Sequence, residues 1–136
     1  MKATQLYDDR FQLIFWNETD GIIGIDWKTS TAQMTDDDMK RELDLFAGFV
    51  EKRQASRILI DVTKFGYRMT PEVQQWWSEN ILTRYNAAGV KRFAFLFPAN
   101  AEITGAMNES APGAAFLTRS FHTRESAVDW LVAPAQ

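Results

Sequence analysis

The order of the apolar runs most narrows what this chain can fold into: two strand-like runs lie close together, and helical and strand-like segments then alternate. From Phe11 to Trp16, Leu13 and Phe15 fall on one face and Ile14 and Trp16 on the other, the period-two signature of a strand. Asn17-Glu18-Thr19-Asp20-Gly21 supplies turn residues before a second run, Ile22 to Lys28. The spacing predicts an antiparallel hairpin. Both faces of the hairpin are partly apolar, which places it inside a sheet. Arg57 to Val62 and Lys91 to Phe97 are short and almost continuously apolar, as strands covered on both faces are.

Helical signals separate these strands. Thr35 before Asp36, Asp37 and Asp38 is a helix start, because the hydroxyl accepts free N–H groups and acids oppose the positive helix end. Met39, Leu43, Phe46 and Val50 then form one stripe. Thr70 with Pro71 behind it opens a second helix whose inner face is Val73, Trp77, Ile81 and Tyr85, and Gly89 ends it. Asn100 to Gly113 is the least determined stretch, with a short helix suggested by Ile103 and Met107. Ala114 to Phe121 reads as a last strand, and Thr123 starts a last helix with Ala127, Trp130 and Leu131 inward. The sum is an α/β fold: a mixed sheet of about five strands with an N-terminal β-hairpin, covered by about four helices. One domain over residues 1–136, with its core at about 10–132, fits a chain of this length with 46% hydrophobic residues.

Several classes of chemistry are excluded by residue type. Zero Cys removes thiolate nucleophiles, disulfides and most structural zinc sites, and one His, His122, leaves too few nitrogen ligands for an ordinary zinc or non-haem iron centre. No metal or cofactor is expected. The seven glycines do not form a phosphate-binding loop. A net charge of −3 argues against binding nucleic acid through a basic stripe. The longest apolar stretch, Phe93 to Phe97, is far short of the roughly twenty residues that span a bilayer, and Met1 to Arg10 lacks the apolar segment of a signal peptide. The chain is expected to be cytoplasmic, without stable membrane insertion.

Three motifs resemble the bacterial SpoIIAA-like proteins, single-domain members of the wider STAS-type group. They are Arg57-Ile-Leu-Ile-Asp-Val62, Ala88-Gly-Val-Lys-Arg-Phe-Ala-Phe-Leu-Phe97 and Phe121-His-Thr-Arg-Glu-Ser-Ala-Val-Asp-Trp-Leu131, and the similarity covers roughly residues 10 to 132. The resemblance implies the mixed α/β fold and is almost silent on activity, since these are core and cap positions. Sporulation-type members of the group are phosphorylated on a serine at the start of the second helix. Here Asp61-Val-Thr-Lys-Phe-Gly-Tyr-Arg-Met-Thr70 stands instead, with Thr63 and Thr70 as the nearest hydroxyls and Thr70 used as a cap. Likeness to lipid-transfer domains of the CRAL-TRIO type implies, by analogy, an apolar groove.

The candidate sites follow. Phe65, Tyr67, Arg68 and Met69 form an aromatic and basic loop after the carboxyl end of a strand, where open α/β sheets place binding sites. Arg68 would pair with an anionic head group while the other three contact its tail, unless the loop simply packs inward. Trp76 and Trp77 project about 100° apart on their helix, so Trp76 is expected at the core's edge, as an interface anchor or a pocket wall, unless a wide apolar helix face simply buries both. Asp26 and Asp61 lack a charged partner identifiable from sequence and read as solvated strand ends or hydrogen-bonded turn residues. His122 has no nucleophile motif beside it. A catalytic constellation is therefore absent, and a non-enzymatic interaction or regulatory module is expected, self-associating as a homodimer or binding an unidentified protein partner around Trp76. The 10 Phe, 5 Trp and 3 Tyr, more large aromatics than a small core needs, motivate that module; the alternative is a binder of a lipid or other hydrophobic small molecule between sheet and helices.

Overall fold

In a computed structural model of the chain, residues 3–134 are described. Six strands form one sheet in chain order: β1 (Thr4–Asp8), β2 (Gln12–Asn17), β3 (Ile22–Trp27), β4 (Arg57–Asp61), β5 (Arg92–Leu96) and β6 (Leu117–Phe121). The first three run antiparallel, and β3 to β6 run parallel. The expected hairpin is β2–β3. Its turn is closed by Asn17, whose Oδ1 accepts from the Asp20 N–H at 3.2 Å, and by Gly21 at φ 65°, a conformation glycine adopts without a Cβ clash.

Alternation along the strands divides the core into two layers. Ile14, Trp16, Ile23, Ile25, Ile58, Ile60 and Phe93 face α1 (Asp36–Arg53), α2 (Pro71–Asn80) and α3 (Leu82–Ala88). Phe15, Ile22, Leu59, Ala94 and Leu96 face α4 (Arg124–Val132) through Ala127 and Leu131. The predicted stripe on α1 is buried, with Phe46 and Val50 at 0% exposure; each such side chain contributes about 1.5–3 kcal/mol. Thr35, Thr70 and Thr123 cap their helices as expected, and at Thr35 the cap is reciprocal, since the Asp38 carboxylate accepts from the Thr35 N–H. The other end of α4 is held by arginines of the sheet. Arg57 Nε donates to the Leu131 carbonyl at 2.7 Å and Arg92 Nη1 to the Ala133 carbonyl at 2.8 Å, satisfying acceptors that a helix end leaves free.

Three elements differ from the sequence reading. The sheet has six strands rather than about five, because Thr4–Asp8 pairs with β2 as an edge strand. Only Leu6 and Tyr7 of that strand are half-buried, so it carries too few apolar residues to show the alternation of an interior strand. The helix expected from Thr70 to Gly89 is two, α2 and α3, divided at Ile81. There the Asn80 side-chain amide donates to the Trp76 carbonyl at 3.0 Å, a side-chain competitor within the helical ladder. Gly89, at φ 93°, ends α3 as expected. The short helix suggested near Ile103 and Met107 is a single 3-10 turn, Gly105–Asn108.

Candidate functional site

The layer beneath α1, α2 and α3 is not completely filled. A cavity of about 290 Å³ lies there. Its floor is Ile25 and Trp27 of β3, Ile60 of β4 and Phe93 and Phe95 of β5, and its walls are Met39 and Leu43 of α1, Trp77 of α2 and Tyr85 of α3. The loop after β4 contributes Val62, Phe65 and Met69, and the stretch before β6 contributes Glu109, Ala111 and Phe116. Gln74 and Thr118 complete the lining. Glu109, which is exposed, is the only lining residue carrying a charge at neutral pH.

Specific contacts hold this rim in place. The Gly66 N–H donates to Thr31 Oγ1 at 2.8 Å, and the Tyr67 hydroxyl donates to Asp36 Oδ1 at 2.7 Å. A Cβ at Gly66 would stand 2.8 Å from that of Ala32, so glycine permits this approach. Burial, then the bond to Asp36, pushes the Tyr67 phenol up to about 12, which keeps it a donor. Phe65 packs on Trp27 with ring centroids 5.2 Å apart and on Tyr67 at 6.1 Å. On the opposite rim the Ser120 N–H donates to Asn108 Oδ1 at 2.8 Å, the Ser120 hydroxyl to the Met107 carbonyl at 2.6 Å, and the Asn86 amide to the Gly113 carbonyl at 2.9 Å. The Asn100 to Gly113 stretch is thus fastened to β6 and α3.

Of the residues singled out in the sequence, Phe65 and Met69 line the cavity, and Tyr67 stands behind Phe65. Arg68 is exposed and outside the lining. Trp76 is half-buried with the Lys40 ammonium 5.8 Å from its ring centroid, and Trp77 rather than Trp76 reaches the cavity. The inward aromatics Trp27, Trp77, Tyr85, Phe93 and Phe116 were legible only as core, since the wall of a void and a filled core carry the same periodicity.

A second grouping lies at the carboxyl edge of the sheet. Asp26 and Asp61 are register partners on β3 and β4, and Arg124 Nη2 donates to both, at 2.9 and 3.2 Å. The charged partner that the sequence left unidentified is therefore Arg124, from α4. Asp61 Oδ1 also accepts from the Thr63 N–H and hydroxyl, so Thr63, like the capping Thr70, is engaged. One guanidinium shared by two carboxylates is an ion-pair clamp between α4 and the sheet. His122 Nε2 bonds the Ala101 carbonyl at 2.6 Å. Among the described residues, no group of three or more acids and histidines is placed to hold a metal ion, and no helix is long and apolar enough to cross a membrane.

Neither the curated proteins nor the solved structures contain a match to this chain. The family model described as SpoIIAA-like matches residues 22–132, from the first residue of β3 to the last of α4, and so takes in the parallel half of the sheet, every helix and the whole lining of the cavity. On that match, which agrees with the strand and helix-cap motifs read from the sequence, the chain belongs to the SpoIIAA-like family.

Proposed function

We propose that this protein is a non-enzymatic regulatory module whose working state carries a hydrophobic small molecule in the cavity between the sheet and α1 to α3. Membership of the SpoIIAA-like family points to a regulatory or interaction module. The observation that carries the finer reading is the cavity itself: about 290 Å³, floored by sheet residues and walled by aromatic and aliphatic side chains, near the lower end of the range of about 300–1,000 Å³ for small-molecule sites. Such a space left empty forfeits dispersion contacts along its whole lining, and an apolar occupant restores them.

The surface around Trp76 supports self-association less well. That ring is half-buried beneath Lys40, and the exposed large hydrophobics among the described residues are Leu117 and Val132. Two such residues do not make the contiguous patch of a stable interface.

Native mass spectrometry of freshly purified protein tests the reading. The expected spectrum shows one small added mass per chain, lost when Thr118→Trp places an indole at the cavity's edge with the circular dichroism unchanged. A wild-type chain that carries no added mass, and takes up none from an excess of diphenylmethane, would falsify it.

A further inference from the structure

Tyr85 is 1% exposed and lies among Phe46, Trp77, Phe93 and Phe116, with ring centroids 6.0–6.3 Å away. It lines the cavity, no described residue pairs with its hydroxyl, and that oxygen is not among the fully enclosed atoms that lack a partner, so a small probe reaches it. An apolar occupant that covers this hydroxyl strips it of water, at a cost unless the occupant pairs with it. Phenylalanine would pack the same ring, so packing does not account for the oxygen. Burial pushes the phenol well above its ordinary range, which leaves it a donor seeking an acceptor. The lining offers no Lys, Arg or His to balance an anion, and its one charge, Glu109, is negative.

From this geometry we infer that the cavity selects an uncharged, largely apolar molecule bearing one carbonyl-type acceptor, held by a hydrogen bond from the Tyr85 hydroxyl. The inference rests on the cavity reading above and adds the ligand's chemistry. A fatty acid or other apolar anion fits poorly, since its carboxylate would be desolvated without a cation. An unsubstituted hydrocarbon fits the walls and leaves the hydroxyl unpaired. A ketone, ester or quinone of about the cavity's size satisfies both.

Equilibrium dialysis with three probes of similar shape separates these cases: benzophenone, diphenylmethane and diphenylacetate. For the wild type, benzophenone is expected to bind about fivefold more tightly than diphenylmethane, the factor that one net hydrogen bond supplies, with diphenylacetate weakest. Tyr85→Phe keeps the ring and should bring benzophenone down to the affinity of diphenylmethane while leaving diphenylmethane unchanged. If Tyr85→Phe retains the preference, or if diphenylacetate binds as well as benzophenone, the inference is overturned. Equal binding of benzophenone and diphenylmethane to the wild type removes the role of the hydroxyl and leaves the cavity reading standing. Binding of none of the three removes both.

Discussion

Glu42→Gln is expected to be more stable than the wild type by about 2–3 kcal/mol at pH 8 and close to it at pH 5. Glu42 sits on α1 at 0% exposure, and neither carboxylate oxygen has a hydrogen-bond partner among the described residues. The Arg41 guanidinium comes only to 3.8 Å, and the Gln12 amide nitrogen is spent on the Glu42 main-chain carbonyl at 3.0 Å. Beside it stands Asp9. Burial would raise that acid too, but the Glu42 carboxyl and the N–H groups of Gln12 and Phe11 outweigh burial and hold it below its ordinary range. Burial first, and then the adjacent Asp9, push Glu42 from 4.5 up to about 8. The folded state therefore binds a proton that the unfolded chain has released, and stability falls as pH rises through the window from about 4.5 to about 8. At about 1.4 kcal/mol for each pH unit of displacement, the ceiling is about 5 kcal/mol, and relaxation around the carboxylate lowers the realised value. Glutamine is neutral across that window and can donate to Asp9. Urea denaturation at several pH values measures the difference; equal slopes for the two proteins would remove Glu42 as its source.

Elements whose signal is local were legible in the sequence. Leu13 and Phe15 against Ile14 and Trp16 divide onto the two layers as their alternation requires, and Thr35, Thr70, Thr123 and Gly89 mark helix ends through bonds to residues within one turn. Signals that depend on distant partners were not. The edge strand β1 is defined by its pairing with β2 rather than by its own pattern. Arg124 reaches carboxylates 98 and 63 positions away, a relation no window of sequence contains. Glu42 lies among the charged residues of α1, and the fold alone shows that it faces inward. The cavity was half legible: Phe65 and Met69 stand in the loop where strand ends place binding residues, whereas Trp77 and Tyr85 read as ordinary core. A void has no residues of its own and is visible only once all of its walls are in position.

The second large effect is expected at Gly24→Ala, with a loss of about 3–4 kcal/mol. Gly24 stands opposite Phe15 of β2 and Leu59 of β4 in the sheet. A Cβ there would lie 2.2 Å from Phe15 Cζ and 2.5 Å from the Leu59 carbonyl oxygen. The first contact can be relieved by moving a ring, but the second is to sheet backbone and cannot move without breaking register. Phe15 borders a concavity shared with Leu13, Ile22 and Val128, so relief of the first contact comes from a shift of its ring. It packs in the layer with Leu59, Ala127 and Leu131, and the Arg124 guanidinium that clamps Asp26 and Asp61 lies 5.4 Å from its ring centroid. Displacing the ring therefore pushes on α4 and on the clamp together. Overpacking a core costs about 1–3 kcal/mol, and strain on the main chain adds to it, against a total stability of about 5–15 kcal/mol for a domain. Phe15→Leu should recover part of the loss when combined with Gly24→Ala, a non-additivity expected of residues in contact. The cavity lies on the opposite face of the sheet, so the folded fraction of Gly24→Ala should bind diphenylmethane as the wild type does. A denaturation midpoint within about 1 kcal/mol of wild type, or a loss that Phe15→Leu leaves untouched, would show that the sheet at Gly24 has room that the Phe15 ring does not fill.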